Sequence, residues 1–151
     1  MLFKTHLAVA LLIALILLHF NVNMTFVITF VIASLLADID SPTSKIGRKV
    51  KVVNYLFAHR GLFHSLFALL IFAVLISFID YLLALAFFLG YFLHLLLDSF
   101  TRQGIFIFFP FSTKRSKGSV RVGSLLETII FLVVLFAIVI LLFFYLKQRY
   151  F

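Results

Sequence analysis

Five apolar segments leave this chain little choice of solvent. The first runs from about Leu2 to Phe20 and stops at Asn21-Val22-Asn23, and the second from Met24 to about Ala37. The stretch from Gly61 to Phe100 is too long for one span, and Ser77-Phe78-Ile79-Asp80 divides it into a tight helical hairpin. The last segment runs from Ser124 to Leu146 and is closed by Lys147 and Arg149. A bilayer core takes about 20 apolar residues per helix, with about 17 as a lower limit. Residues 65% hydrophobic and 12% charged fit that solvent, because a soluble domain of this length could not hide so much apolar surface. The expected fold is all-α, a single membrane-embedded domain over residues 1–151 built as a polytopic bundle of about five transmembrane helices. The second segment is short, so it should extend into Asn23 or Asp38 or end below the interface. The first has the charge-then-apolar order of a signal peptide but no small-residue cleavage site, and reads as an anchor that stays.

Thirteen Lys and Arg against five Asp and Glu give a net charge of +8. In a soluble protein that excess would suggest nucleic acid; in a membrane chain its distribution sets topology. Lys45, Arg48, Lys49, Lys51 and Arg60 lie between segments two and three, and Arg102, Lys114, Arg115, Lys117 and Arg121 between four and five. The short turns 21–23 and 77–81 carry none. The positive-inside rule places both long loops and the N-terminus, with Lys4, in the cytoplasm of a multi-pass cell-membrane protein. Five spans then put Lys147 and Arg149 outside, a conflict outweighed by the two long loops. These loops are adequately explained as topology signals and contacts with anionic lipid, so membrane lipids are expected partners and a specific nucleic acid is not. The absence of Cys excludes disulfides, thiolate metal sites and a Cys nucleophile.

On this topology eight of the ten acids and histidines fall at one membrane face, and only His19 and Asp80 at the other, where they are assigned to the interface without function. Ionisable groups in or near a span are costly and normally face a polar interior with a partner. Asp38-Ile39-Asp40-Ser41-Pro42 ends the second segment, since Pro42 pushes Ser41 out of helical conformation. Carboxylates there face the negative end of the helix dipole unless a cation compensates. Equally, Asp40 could belong to a solvated turn, with Asp38 paired to Lys45 or Arg48. His59-Arg60-Gly61-Leu62-Phe63-His64-Ser65 joins two potential metal ligands to a guanidinium suited to a phosphate or carboxylate; the plain alternative is snorkelling of Arg60. His94 and Asp98 are i, i+4 neighbours on one helix face, with Tyr91 and Thr101 a turn to either side and Gly90 allowing close helix approach. They could hold a metal or staple two helices. Gly123-Ser124-Leu125-Leu126-Glu127 fits a capping box, which competes with Glu127 as a ligand or general base. The spacings His6 to Asp38 and His64 to Asp98, 32 and 34 residues, are nearly repeated, as if two hairpins each presented a His and an Asp.

The ordered set Asp38-x-Asp40-Ser-Pro, His59-Arg60-Gly61-x-x-His64-Ser65, Gly90-Tyr91-x-x-His94-x-x-x-Asp98-x-x-Thr101-x-x-Gly104 and Pro110-Phe111 resembles the YdjM-like family of membrane-bound metal-dependent hydrolases. The resemblance runs from Thr5-His6 to Glu127; Phe63 stands where Thr is common and Arg102 where Pro is common, which leaves the ligands intact. It implies a divalent-metal hydrolase, with zinc expected first and manganese or magnesium as alternatives. The expected ligands are His6, Asp38, His59, His64, His94 and Asp98. Six ligands exceed the three or four protein ligands usual for one zinc, so more than one ion is allowed for. Asp40 or Glu127 would serve as base and Arg60 would hold the substrate anion. A centre at the bilayer surface favours a phosphoester of a lipid or lipid-linked substrate. The aromatic run Ile105–Phe111 would form a lipid-facing lip, or else a plug in the bundle. The competing function is a non-enzymatic metal-binding or metal-transporting membrane protein, and a third possibility is a structural one whose polar residues lock the helices.

Overall fold

A computed structural model describes residues 1–36 and 62–150. Among them the chain is all-helical, with α1 (Phe3–His19), α2 (Met24–Leu36), α3 (Leu66–Ser77), α4 (Tyr81–Ser99) and α5 (Leu125–Tyr150). The described residues form no strand, only two isolated bridges in the loop between α4 and α5.

The helix boundaries follow from local chemistry. After α1, Asn21 takes φ 56°, a left-handed conformation that Asn tolerates better than most side chains. The Asn23 side chain then accepts from the Thr25 N–H at 2.8 Å and opens α2. Ser65 caps α3 by accepting from the Ala68 N–H at 3.2 Å. The expected break at Ser77–Asp80 is present, and its Asp has a definite task. Asp80 accepts from the Leu83 N–H at 2.9 Å, placing a carboxylate at the favourable end of the α4 dipole. Asp80, expected to be idle at the interface, is therefore the N-cap of α4.

At a rise of about 1.5 Å per residue, α4 and the apolar part of α5 are long enough for a hydrocarbon core of about 30 Å. By length and composition these two, Tyr81–Ser99 and Leu125–Lys147, can cross a membrane. The 17, 13 and 12 residues of α1, α2 and α3 make shorter apolar helices. Helix α2 ends at Leu36 within the described residues, and α3 begins after Ser65 rather than near Gly61.

Small residues set the packing. A Cβ on Gly90 would lie 2.1 Å from the Phe30 carbonyl oxygen, so α2 and α4 meet backbone to backbone. Ala33 lies beside this contact, and a core of Leu69, Phe87, Tyr91, Leu95 and Ile105 fills the space around α4. Ala10, Phe30 and Ala86 form a second cluster where α1 joins. Helix α5 packs on α1 and leaves Leu132, Val133, Phe136, Val139 and Phe143 exposed, an apolar outer face suited to lipid.

Candidate metal centre

The buried polar side chains among the described residues are Thr5, His6, Ser34, His64, Ser65, His94, Thr101 and Glu127. They come from the starts of α1, α3 and α5 and the ends of α2 and α4. Contacts among them show that these ends meet. His6 Nε2 lies 3.1 Å from Asp98 Oδ1. His64 Nε2 and His94 Nε2 each lie 3.6 Å from Asp98 Oδ2. The His6 and His94 rings stack with centroids 4.1 Å apart and planes inclined by 9°, while His64 meets His94 edge-on at 5.4 Å. His6, His94 and Asp98 can each offer one ligand atom with all three atoms within 4.8 Å of one another.

Neighbouring elements hold each of these side chains. His94 Nδ1 lies 2.8 Å from the Ser34 carbonyl oxygen at the end of α2. A carbonyl only accepts, so Nδ1 donates, which in a neutral ring would leave Nε2 as an acceptor. An imidazole lone pair facing a carboxylate oxygen calls for a proton or a cation between them. His6 Nδ1 and Thr5 Oγ1 are also buried, with no hydrogen-bond partner among the described residues. Three imidazoles around one carboxylate, with one ring oriented by a backbone carbonyl, suit a divalent transition metal. His64 is placed by its flanks: the Tyr91 hydroxyl donates to the Phe63 carbonyl, and the Ser65 hydroxyl donates to the Leu62 carbonyl at 2.6 Å. The α-amino group of Met1 also contacts Asp98 Oδ1.

The structure thus brings together four of the residues singled out in the sequence, His6, His64, His94 and Asp98. Asp38, Asp40, His59 and Arg60 lie outside the described residues. Glu127 is fully buried at the same end, but its Oε1 accepts from the Leu2 N–H at 2.6 Å and its Oε2 from the Gly123 N–H at 2.6 Å. Ser124 Oγ accepts from the Glu127 N–H at 3.4 Å, so the capping alternative describes the local geometry. The carboxylate reaches one residue further back than a standard capping box and also fastens the start of α1. His19 is exposed at the far end of α1, beside Phe20. Sequence reasoning missed Ser34, although in the sequence it stands four residues before Asp38, as His94 does before Asp98.

The fold and this centre define a class: an apolar helical protein that, among the described residues, gathers His6, His64, His94, Asp98 and Glu127 at one end of the bundle. Within that class the chain belongs to the YdjM inner membrane protein family, whose model matches residues 1–150. It is 39% identical over 85 residues to the Bacillus subtilis (strain 168) protein YvsG, itself described as uncharacterized. That alignment takes in 52% of this chain and 53% of YvsG, so the chain spans about half the length of the curated relative it matches. No solved structure matches the chain.

Proposed function

We propose that this protein is a membrane-embedded metal-dependent hydrolase acting at the cytoplasmic face on a phosphoester of a lipid or lipid-linked substrate. The observation that carries this reading is the convergence of His6, His64 and His94 on Asp98 in an otherwise apolar bundle. Such groups are expensive in that setting, which makes them functional candidates by default. By sequence, Asp38 and His59 complete the ligand set, and six ligands leave room for more than one ion. The cation, zinc first and manganese or magnesium as alternatives, would acidify water and stabilise charge developing on a phosphoryl oxygen. Asp40 is the first choice to accept a proton from the attacking water, and Arg60 the residue to hold the substrate anion. Glu127 keeps α1 and α5 together and is the second choice as base, since both its oxygens already accept backbone N–H groups. All five helices are membrane-embedded in this reading, with the N-terminus and both long loops cytoplasmic.

Metal analysis of the purified protein tests the centre. Wild type should carry metal in stoichiometric amount, and Asp98→Ala and His64→Ala should lose it while keeping their helical circular dichroism. Wild type free of metal after purification without chelators would overturn the proposal. A metal-binding or transporting protein would share the centre but not the chemistry. Release of water-soluble phosphate products from labelled lipid vesicles, abolished in the same variants, separates the two.

A further inference from the structure

The loop between α4 and α5 folds back on itself at the same end of the bundle. The Arg102 N–H donates to the Val120 carbonyl at 2.8 Å, the Gly118 N–H to Thr101 at 2.9 Å, and Ile105 and Ser116 exchange bonds of 3.1 and 2.9 Å. Gly104, with φ +62°, permits this fold, because a Cβ there would lie 2.2 Å from the Ser116 carbonyl oxygen. The loop is anchored inward by Ile105, which joins the core, and by the Ile107 carbonyl, which accepts from the Leu66 N–H at 2.9 Å. Its other side faces outward. Phe108 and Phe111 are 61% and 83% exposed, and Arg102, Lys114, Arg115, Lys117 and Arg121 are all exposed. The aromatic run is therefore a plug at Ile105 and an open surface at Phe108 and Phe111.

Two of the cations are pre-positioned. Arg102 Nε donates to the Ser119 carbonyl at 3.2 Å, and Arg115 Nη1 to the Gln103 carbonyl at 3.3 Å. The Arg115 guanidinium also lies 4.5 Å from the centroid of the Phe106 ring. Among the described residues neither arginine forms an ion pair with a carboxylate, and residues 100–123 contain no acid at all. A guanidinium steadied by a carbonyl still presents a donor face that matches a phosphate.

We propose that this loop is a docking surface for anionic phospholipid, with Arg102 and Arg115 holding headgroup phosphates and Phe108 and Phe111 seated among the lipid chains. Charge complementarity selects that occupant. The cations answer an anionic headgroup layer, and the exposed phenylalanines have a place to go in a bilayer that they lack on a nucleic acid backbone. The surface is independent of metal, so its test does not depend on the hydrolase reading.

The chain has no Trp, so one introduced indole reports without background. Phe111→Trp, in the full chain reconstituted into mixed phosphatidylglycerol and phosphatidylcholine bilayers, should be quenched more by brominated phosphatidylglycerol than by brominated phosphatidylcholine at equal fraction. Replacing Arg102 and Arg115 by Gln should remove the preference, on the order of fivefold in relative affinity for each charge. Phe108→Trp provides a second reporter should the first disturb the loop. Equal quenching by the two lipids, no quenching by either, or an emission change produced by a duplex oligonucleotide instead would each overturn the proposal.

Discussion

Asp98 receives histidines from three places in the chain: His6 from α1, His94 from its own helix and His64 from just before α3. It also stands in the last turn of α4, where a carboxylate opposes the helix dipole and a neighbouring cation would offset the cost. Of its three imidazole neighbours, His64 depends most on outside support, because it precedes the first turn of α3. The Tyr91 hydroxyl supplies that support through the Phe63 carbonyl. Tyr91→Phe keeps the ring and its packing but deletes the donor, leaving a partly buried carbonyl short of a bond at a cost of about 1–3 kcal/mol. If Tyr91 positions His64, metal affinity should also fall by about 10–100-fold, as it does when ligand-orienting groups are removed. Metal-competition titration beside thermal unfolding in detergent checks this, and lowered stability with unchanged affinity would make Tyr91 purely structural. At this scale the sequence was informative where spacing fixes geometry: His94 and Asp98, four apart on one helix, had to share a face. It was silent on Ser34, whose contribution is a backbone carbonyl that becomes relevant only once α2 lies against α4.

The contact between α2 and α4 is what brings Ser34 to His94, and it depends on Gly90. Gly90→Ala would drive a methyl group against the Phe30 carbonyl at 2.1 Å. Backbone cannot rotate away as a side chain can, so the helices must separate, at about 1–3 kcal/mol. Gly123→Ala provides the contrast. A Cβ there meets nothing within 4 Å, and only the φ of +76° is unfavourable, at roughly 1–2 kcal/mol. Both variants should lower the thermal midpoint in detergent, but only Gly90→Ala should also weaken metal binding, because only it disturbs the His94 support. Equal metal affinity in the two would dissociate the helix contact from the centre. The elements themselves were largely legible, since apolar runs and the polar breaks at 21–23 and 77–80 locate all the described helices. Their lengths were less so. The Gly61–Phe100 stretch offers apolar residues on both sides of Ser65, and the hydroxyl that caps α3 cuts that helix to 12 residues.

At the scale of the molecule, the helix ends carrying buried polar residues alternate along the chain: start of α1, end of α2, start of α3, end of α4, start of α5. That alternation is what an up-and-down bundle requires if one end is to hold a centre, and the basic loop after α4 lies at the same end. Two helices are long enough to cross a bilayer unaided, while α2 and α3 would span only about 20 Å or less. Five passes therefore require the bilayer to thin locally or the flanking residues to enter it. The absence of Cys makes the point testable, because each introduced thiol reports alone. Ile79→Cys in the turn before α4, Ser119→Cys in the basic loop and Lys147→Cys near the end of α5 are all exposed positions. In right-side-out vesicles a membrane-impermeant maleimide should label Ile79→Cys and Lys147→Cys and spare Ser119→Cys; in inside-out vesicles the pattern should reverse. Labelling of Ile79→Cys and Ser119→Cys from the same side would mean that α4 does not cross. Shared labelling of Ser119→Cys and Lys147→Cys would mean the same for α5, and would resolve the conflict of the terminal Lys147 and Arg149 with the positive-inside rule by removing a span.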